Sequence, residues 1–236
     1  MPLLAIDGAT PVASAALIDG GVIKGEIYNQ QGTGHAQTLM VMVDQLLEMT
    51  ETTLQDLQVL AVTAGPGSFT GLRIGLATAQ GLAMALSLPL IAVSTLEVLA
   101  APLALTPALL VPVLNARKGE VYTRVYSGGL DGITPIGNEK AAAPEALCSE
   151  IRELSAATGH SMVALTGDGV QPYQEIWERE LGDMLVPVPA YQARPRAGVL
   201  ADLAARLFEQ GRFIDPLDVR PSYLRLSEAE TRLQCS

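Results

Sequence analysis

Aromatic residues are scarce: one Trp, three Phe and six Tyr make up 4% of the 236 residues. Without stacking platforms the chain has little with which to hold single-stranded nucleic acid. Positive charge is short as well. Fifteen Lys and Arg against 25 Asp and Glu leave a formal net charge of −10, which repels a phosphate backbone and disfavours a solitary DNA or RNA binder. Cysteine and histidine occur only twice each, as Cys148, Cys235, His35 and His160. Neither cysteine stands in a paired-ligand spacing and the histidines form no i, i+4 pair, so a disulfide framework, a zinc ribbon and a metalloprotease ligand set are all unsupported. Cys148 falls at an apolar helical position, which reads as buried packing, and His35 precedes a helix as a surface or capping residue. Residues 1–7 carry neither a basic region nor an apolar run of signal-peptide length. The uncharged stretch 98–114 approaches bilayer-spanning length, but Pro102, Pro107 and Pro112 would break any helix there. A cytoplasmic chain without membrane contact is the expectation.

Apolar residues are plentiful, at 49% against 17% charged, which excludes a disordered chain. The length fits one large domain or two small ones at about 100–200 residues each. Short apolar runs at 3–6, 12–18 and 22–28, the last two joined by Asp19-Gly20-Gly21, predict a strand followed by a hairpin. Ala36, Leu39, Met40, Val43, Leu46 and Leu47 fall on one helical face, while Val41, Met42 and Met49 lie off that stripe and suggest a second packing surface. Thr53 to Asp56 reads as a capped turn and 59–63 as a β-branched strand. A helix over 71–86 repeats Gly71, Gly75, Ala79 and Ala83 every four positions, a small face that allows close backbone approach. Strand 90–93 leads to Ser94 and Glu97, a capping box. A second half then restarts: strands at 109–114 and 121–126, loop at 127–132, a helix from Pro144, a strand at 162–165, a helix after Pro172 and a last helix near 198–210. The order predicts an α/β fold of two subdomains with mixed sheets. One subdomain would be 1–103 with about 196–214, the other 104–195, and 215–236 would be a tail.

Three turns could carry chemistry. Gly65-Pro66-Gly67-Ser68-Phe69-Thr70-Gly71 lies between a strand and a helix, where outward amides, the helix start and the Ser68 and Thr70 hydroxyls suit an anion. It lacks the endings of a P-loop or a dinucleotide fingerprint, so a tight strand-to-helix connection is the competing reading. Asp7-Gly8-Ala9-Thr10 could hold a metal-bound phosphate, with Gly167-Asp168-Gly169 as its counterpart in the second half, or both are turns built from turn residues. Asn115-Ala116-Arg117-Lys118-Gly119-Glu120 is either a solvated turn or a polar binding loop. No G-x-S-x-G elbow occurs.

These segments, in order, resemble the TsaB (YeaZ) family, non-catalytic relatives of the TsaD transferases. The resemblance rests on Leu4-Ala5-Ile6-Asp7 with Ala9-Thr10, His35-Ala36-Gln37-Thr38-Leu39, the glycine segment continued through Leu72-Arg73-Ile74-Gly75, Asn115 to Tyr122, Gly167-Asp168-Gly169 and Pro221-Ser222-Tyr223-Leu224-Arg225. It implies an actin-like, Hsp70-like (ASKHA) fold and a part in making threonylcarbamoyladenosine (t6A) beside the tRNA anticodon. The chain would be a scaffold without an active site, pairing with a TsaD-like transferase and a TsaE-like ATPase, self-associating as a homodimer, and meeting tRNA only through that complex. No metal and no cofactor of its own are implied; ATP or ADP would enter only with the complex. The metal-binding histidine pair of the catalytic relatives is replaced here by Thr95 and Leu99, and Gly8 stands where many relatives carry a hydroxyl. An ATP-hydrolysing enzyme and a glycoprotease-like peptidase are the alternative readings. The first two helices would form the pairing surface, through Leu39, Met42, Val43, Leu46, Gly71, Arg73, Gly75, Ala79 and Ala83. Ala79→Arg is then expected to spare the fold and abolish pairing. Asp7, Thr10, Gly65, Gly67, Ser68, Thr70, Gly167, Asp168 and Gly169 would mark a vestigial nucleotide site.

Overall fold

The computed structural model describes residues 1–30 and 35–224, with the backbone alone at 35–37. The His35 side chain, Arg225 and Cys235 lie outside the described residues, as does the tail from 225 onward. The described residues divide into two compact units, Met1–Val98 with Pro195–Ser222, and Leu99–Arg194 with Tyr223 and Leu224.

In unit one the short apolar runs become β1 (Leu3–Asp7), β2 (Ala13–Asp19), β3 (Val22–Asn29), β4 (Val59–Thr63) and β5 (Leu90–Val93). They form one sheet in the order β3-β2-β1-β4-β5. β1 pairs antiparallel with β2, Asp7 opposite Ser14, and parallel with β4, Ile6 opposite Val62. Because side chains alternate, each central strand feeds two cores. Leu4, Ile6, Leu17, Leu60 and Val62 pack under α1 (His35–Met49) and α2 (Phe69–Leu86). Leu3, Ala5, Ile18, Val59 and Ile91 face α6 (Ala197–Glu209), which contributes Leu200, Ala201 and Ala204. β1, β2, β4 and β5 are buried on both faces and read as apolar runs, whereas the edge strand β3 is exposed or half-exposed along its length. The N-terminus of α6 is fixed from the sheet: Gly198 N–H donates to Glu26 at 3.0 Å, Ala197 N–H to Ser14 Oγ at 3.0 Å, and Arg196 grips Glu26 through two guanidinium nitrogens at 3.2 and 2.6 Å.

Unit two repeats the scheme with β6 (Leu109–Arg117), β7 (Glu120–Gly129), β8 (Gly132–Ala142) and β9 (Val163–Thr166) in the order β8-β7-β6-β9. α4 (Pro144–Thr158) and α5 (Gln174–Leu181) cover one face, with Leu147, Ile151, Trp177 and Leu181 against Val111, Val113, Val121 and Val125. The loop expected over 127–132 is instead the end of β7 and the start of β8, joined at Leu130 and Asp131. β8 is an edge strand, mostly half-exposed and containing Pro135 and Gly137, so it carries no apolar alternation that a periodicity argument could detect. Its backbone pairing with β7 and the bond from Arg124 Nε to Gly137 O at 2.9 Å hold it in place.

Between Val93 and Leu109 the chain runs through α3 (Thr95–Ala100) and a 3-10 turn, Ala101–Leu103. The Ser94 hydroxyl caps α3 by accepting Leu96 N–H at 3.2 Å. Among the described residues, no helix is long and apolar enough to cross a membrane.

Candidate functional site

The glycine segment of unit one follows β4 and ends in α2, whose N-cap Ser68 accepts Gly71 N–H at 3.4 Å. Its glycines are needed for close packing. A Cβ on Gly67 would fall onto Ala9 O, and one on Gly71 onto Gly8 O, closer than real Cβ contacts allow. Gly65 sits at φ +109, and a Cβ there would stand 2.8 Å from Ser222 O. Ser68 N–H, an amide that an anion-binding loop would aim at its ligand, donates instead to Ala9 O at 2.7 Å. The neighbouring turn is engaged in the same way: Asp7, fully buried, accepts Thr63 Oγ1–H at 2.6 Å and Ala9 N–H at 3.2 Å, and the buried Thr10 hydroxyl accepts Val12 N–H at 3.2 Å. Asp7, Thr10, Gly65, Gly67 and Ser68 are thus brought together as two turns docked on each other, with Thr70 exposed at the first turn of α2.

The corresponding turn of unit two follows β9. Gly167 takes φ +108, almost the value at Gly65, and Gly169 N–H donates to Val113 O at 2.9 Å. Asp168 Oδ1 accepts Asn115 N–H at 2.9 Å, and Asn115 Oδ1 accepts Arg117 N–H at 2.8 Å. Burial pushes the Asp168 carboxyl above its ordinary value, against the opposing pull of that hydrogen bond and of Arg194. Arg117, Lys118 and Gly119 all have positive φ, at 61, 53 and 81, and form the exposed tip of the β6–β7 hairpin. Among the described residues, no group of three or more His, Cys, Asp or Glu stands together as a metal site.

The helix faces require a correction. Leu39, Met42, Val43, Leu46, Ala79 and Ala83 are at most 4% exposed and belong to the core under the sheet. Met42, three residues from Leu39 and four from Leu46, lies within the inward stripe. Gly71 and Gly75 face the Gly8 backbone. These side chains are already covered by their own chain, and an arginine at Ala79 would be driven into the core. Of the expected pairing residues only Arg73 faces outward, its guanidinium 3.8 Å from the centre of the Phe69 ring.

The exposed side of α2 carries a second small stripe, Ala77, Gly81 and Ala85, flanked by Thr70, Arg73 and Met84. Gly81 has open space where a Cβ would stand, and Met84 is 54% exposed. On α1 the exposed apolar residues are Met40, Val41 and Met49. Both small stripes repeat every four positions. The signal that separates them is Leu72 and Leu76, which share the arc of Gly71, Gly75 and Ala79 and mark it as the inward one.

Comparison with known proteins matches this architecture. The TsaD family, described as tRNA N6-adenosine threonylcarbamoyltransferase, matches residues 22–232. The Escherichia coli K12 protein named tRNA threonylcarbamoyladenosine biosynthesis protein TsaB is 33% identical over 237 residues, covering 99% of this chain and 98% of that one. A Pseudomonas aeruginosa crystal structure described as similar to the peptidase YeaZ aligns with a TM-score of 0.79 at 28% identity, over 95% of this chain and 99% of that one. A polyphosphate/ATP-glucomannokinase from Arthrobacter shares the fold alone, with a TM-score of 0.51 at 14% identity over 89% and 99% of the two chains. The two units with their matching strand orders have the actin-like fold, and the chain belongs to the TsaB family, whose members take part in the biosynthesis of threonylcarbamoyladenosine in tRNA.

Proposed function

We propose that this chain is a scaffold subunit of the cytoplasmic t6A machinery, without an active site of its own, which pairs with a TsaD-like transferase and a TsaE-like ATPase. The observation that carries this reading is the closure of the unit-one glycine turn. Its Ser68 amide is committed to Ala9 O, and Gly67 and Gly71 leave room only for the backbone of residues 8 and 9. A phosphate would have to displace that backbone to reach the Ser68 amide. The outward stripe of α2 supplies the pairing surface, because residues as small as Ala77, Gly81 and Ala85 allow a partner helix to approach closely. The same face serves self-association, so the homodimer and the complex with the transferase compete. With a net charge of −10, the chain leaves phosphate contacts with tRNA to its partners.

The test is reconstitution of tRNA modification from TsaC-, TsaD- and TsaE-like proteins with and without this chain, alongside calorimetry with magnesium and ATP. Modification that depends on the chain, with no heat and no gel-shifted tRNA from the chain alone, is the expected result. Magnesium-dependent ATP binding with turnover by the isolated chain would establish the enzyme instead.

A further inference from the structure

The segment 213–222, beyond α6, runs along α2 from its C-terminal end to the glycine turn at its start. At the upstream end Ile214 and Leu90 exchange hydrogen bonds, Ile214 N–H to Leu90 O at 2.9 Å and Leu90 N–H to Ile214 O at 3.3 Å. Phe213 leans on Phe208 of α6, ring centres 5.7 Å apart. Midway, Gln80 of α2 reaches across 136 and 139 residues of sequence: its Nε2 donates to Pro216 O at 2.7 Å and to Val219 O at 3.1 Å. Both acceptors are carbonyls, so only the NH2 end of the amide can serve them. Downstream, Ser222 N–H donates to Ala64 O at 2.7 Å, and Ser222 O is the atom that a side chain at Gly65 would meet.

So few attachments hold this segment that it is suited to opening. Val219, 3% exposed, is its one buried side chain, and it enters the core under α1 and α2. Phe213, Ile214 and Leu217 are 52%, 42% and 60% exposed, and between them and Met84 lies an open groove of about 510 Å³. Segments with little buried apolar surface and solvent-facing hydrogen bonds open locally at a fraction of the global unfolding free energy.

We propose that residues 213–222 are a releasable strap across α2, that Gln80 is the positioning residue that latches it, and that the latched strap holds α2 in the setting its outward face needs for a partner. The coupling to a partner rests on the reading of that face given above; the latch itself does not. The strap is tied just beyond each end of α2, at Leu90 and at Ala64, and to the helix itself through Gln80 in the middle, and Gln80 adjoins Gly81 of the outward stripe. Loss of the latch frees Val219 to leave the core and Ser222 to leave the turn that precedes Ser68. The helix then keeps its own hydrogen bonds and its inward packing on the sheet but loses the ties that the strap adds along its length.

The test compares the full chain with Gln80→Glu, which keeps the size and loses the donor, and Gln80→Met, which loses the donor without adding charge. Amide exchange is followed at Ile214, Ser222 and, as core references, Ile6 and Val62, and affinity is measured for a TsaD-like transferase. Exchange at Ile214 and Ser222 is expected to rise at least tenfold in Gln80→Glu and less in Gln80→Met, with the references unchanged and affinity falling at least fivefold in the same order. A purely steric role would leave the isosteric Gln80→Glu like the parent. Unmoved exchange at Ile214 and Ser222 would overturn the latch. An opened strap with unchanged affinity, while Gly81→Arg abolishes binding, would overturn the coupling and leave the pairing face standing. Full binding by Gly81→Arg would overturn the pairing face, whatever the strap does.

Discussion

The two units share a sheet plan and part company at the helix that follows the glycine turn. In each, a hairpin leads into a long helix and then a strand parallel to the first, giving β3-β2-β1-β4 in one and β8-β7-β6-β9 in the other. In each, the strand after the helix ends at a glycine with φ near +108, and the turn docks its backbone on the end of the first strand. Unit one continues into the 18-residue α2, with an outward face of small residues. Unit two continues into a 3-10 turn and the eight-residue α5. There Trp177 fills the core and its indole N–H bridges to Gly169 O and Val170 O at 3.3 and 3.1 Å. The sheet and turn are therefore a common frame, and the units differ in the helix added to it: α5 is short and packs through Trp177, whereas α2 is long and leaves a stripe of small residues exposed.

The largest effect expected from breaking this contrast is at Ala79. Ala79→Arg buries a guanidinium among Val62, Leu76 and Ala83 and should cost more than about 4 kcal/mol, enough to unfold unit one in a thermal melt. Gly81→Arg, two residues on, points into open space and should gain up to about 1 kcal/mol of helix propensity. Light scattering should then show Gly81→Arg as a folded protein that no longer self-associates. A cooperative, unchanged melt for Ala79→Arg would return that residue to the surface.

A smaller effect separates the two turns. Gly67→Ala forces Cβ onto the Ala9 carbonyl, whereas at Gly169 the nearest atoms, Val113 O and Val121 Cγ1, stand 3.0 and 3.1 Å away. Urea midpoints should show a loss of about 3 kcal/mol for Gly67→Ala and about 1 kcal/mol for Gly169→Ala. Equal losses would mean that the 8–9 turn can yield, and with it the argument that the turn is closed to phosphate.

Strand positions other than β8, the Leu39, Val43, Leu46 and Leu47 part of the α1 stripe, and the serines before α2 and α3 were legible in the sequence because they rest on local rules: β-branched runs, a 3.6-residue period, a hydroxyl at the helix start. Met40, expected on the inward stripe, is exposed and Met42, expected off it, is buried. The orientation of α2 was not, since a helix with small residues on two faces gives the periodicity argument two solutions, and only contact with residues 8 and 62 selects one. β8 was missed because an edge strand needs no apolar face. The turn at 65–71 was legible as special but not as closed. The sequence shows that glycines are present, and only the position of the Ala9 carbonyl shows what they make room for.

The most delicate test of the contrast lies in a single carboxylate. Burial raises the pKa of Asp168 above the ordinary aspartate value of 3.8, so over the window between the two values the folded protein holds a proton that the unfolded chain has released. Stability therefore falls as pH rises through that window, and the cost is fully present above the raised pKa. Asp168→Asn keeps an oxygen to accept Asn115 N–H and removes the charge. Its advantage over the parent should be absent below pH 3.8, should grow through the window and then level off. Trp177 is the chain's one tryptophan and lies in the core of unit two, so its fluorescence follows the unfolding of that unit alone. An advantage that ignores pH would show that Asp168 keeps its charge at no cost, and that the turn of unit two, unlike that of unit one, is open to water.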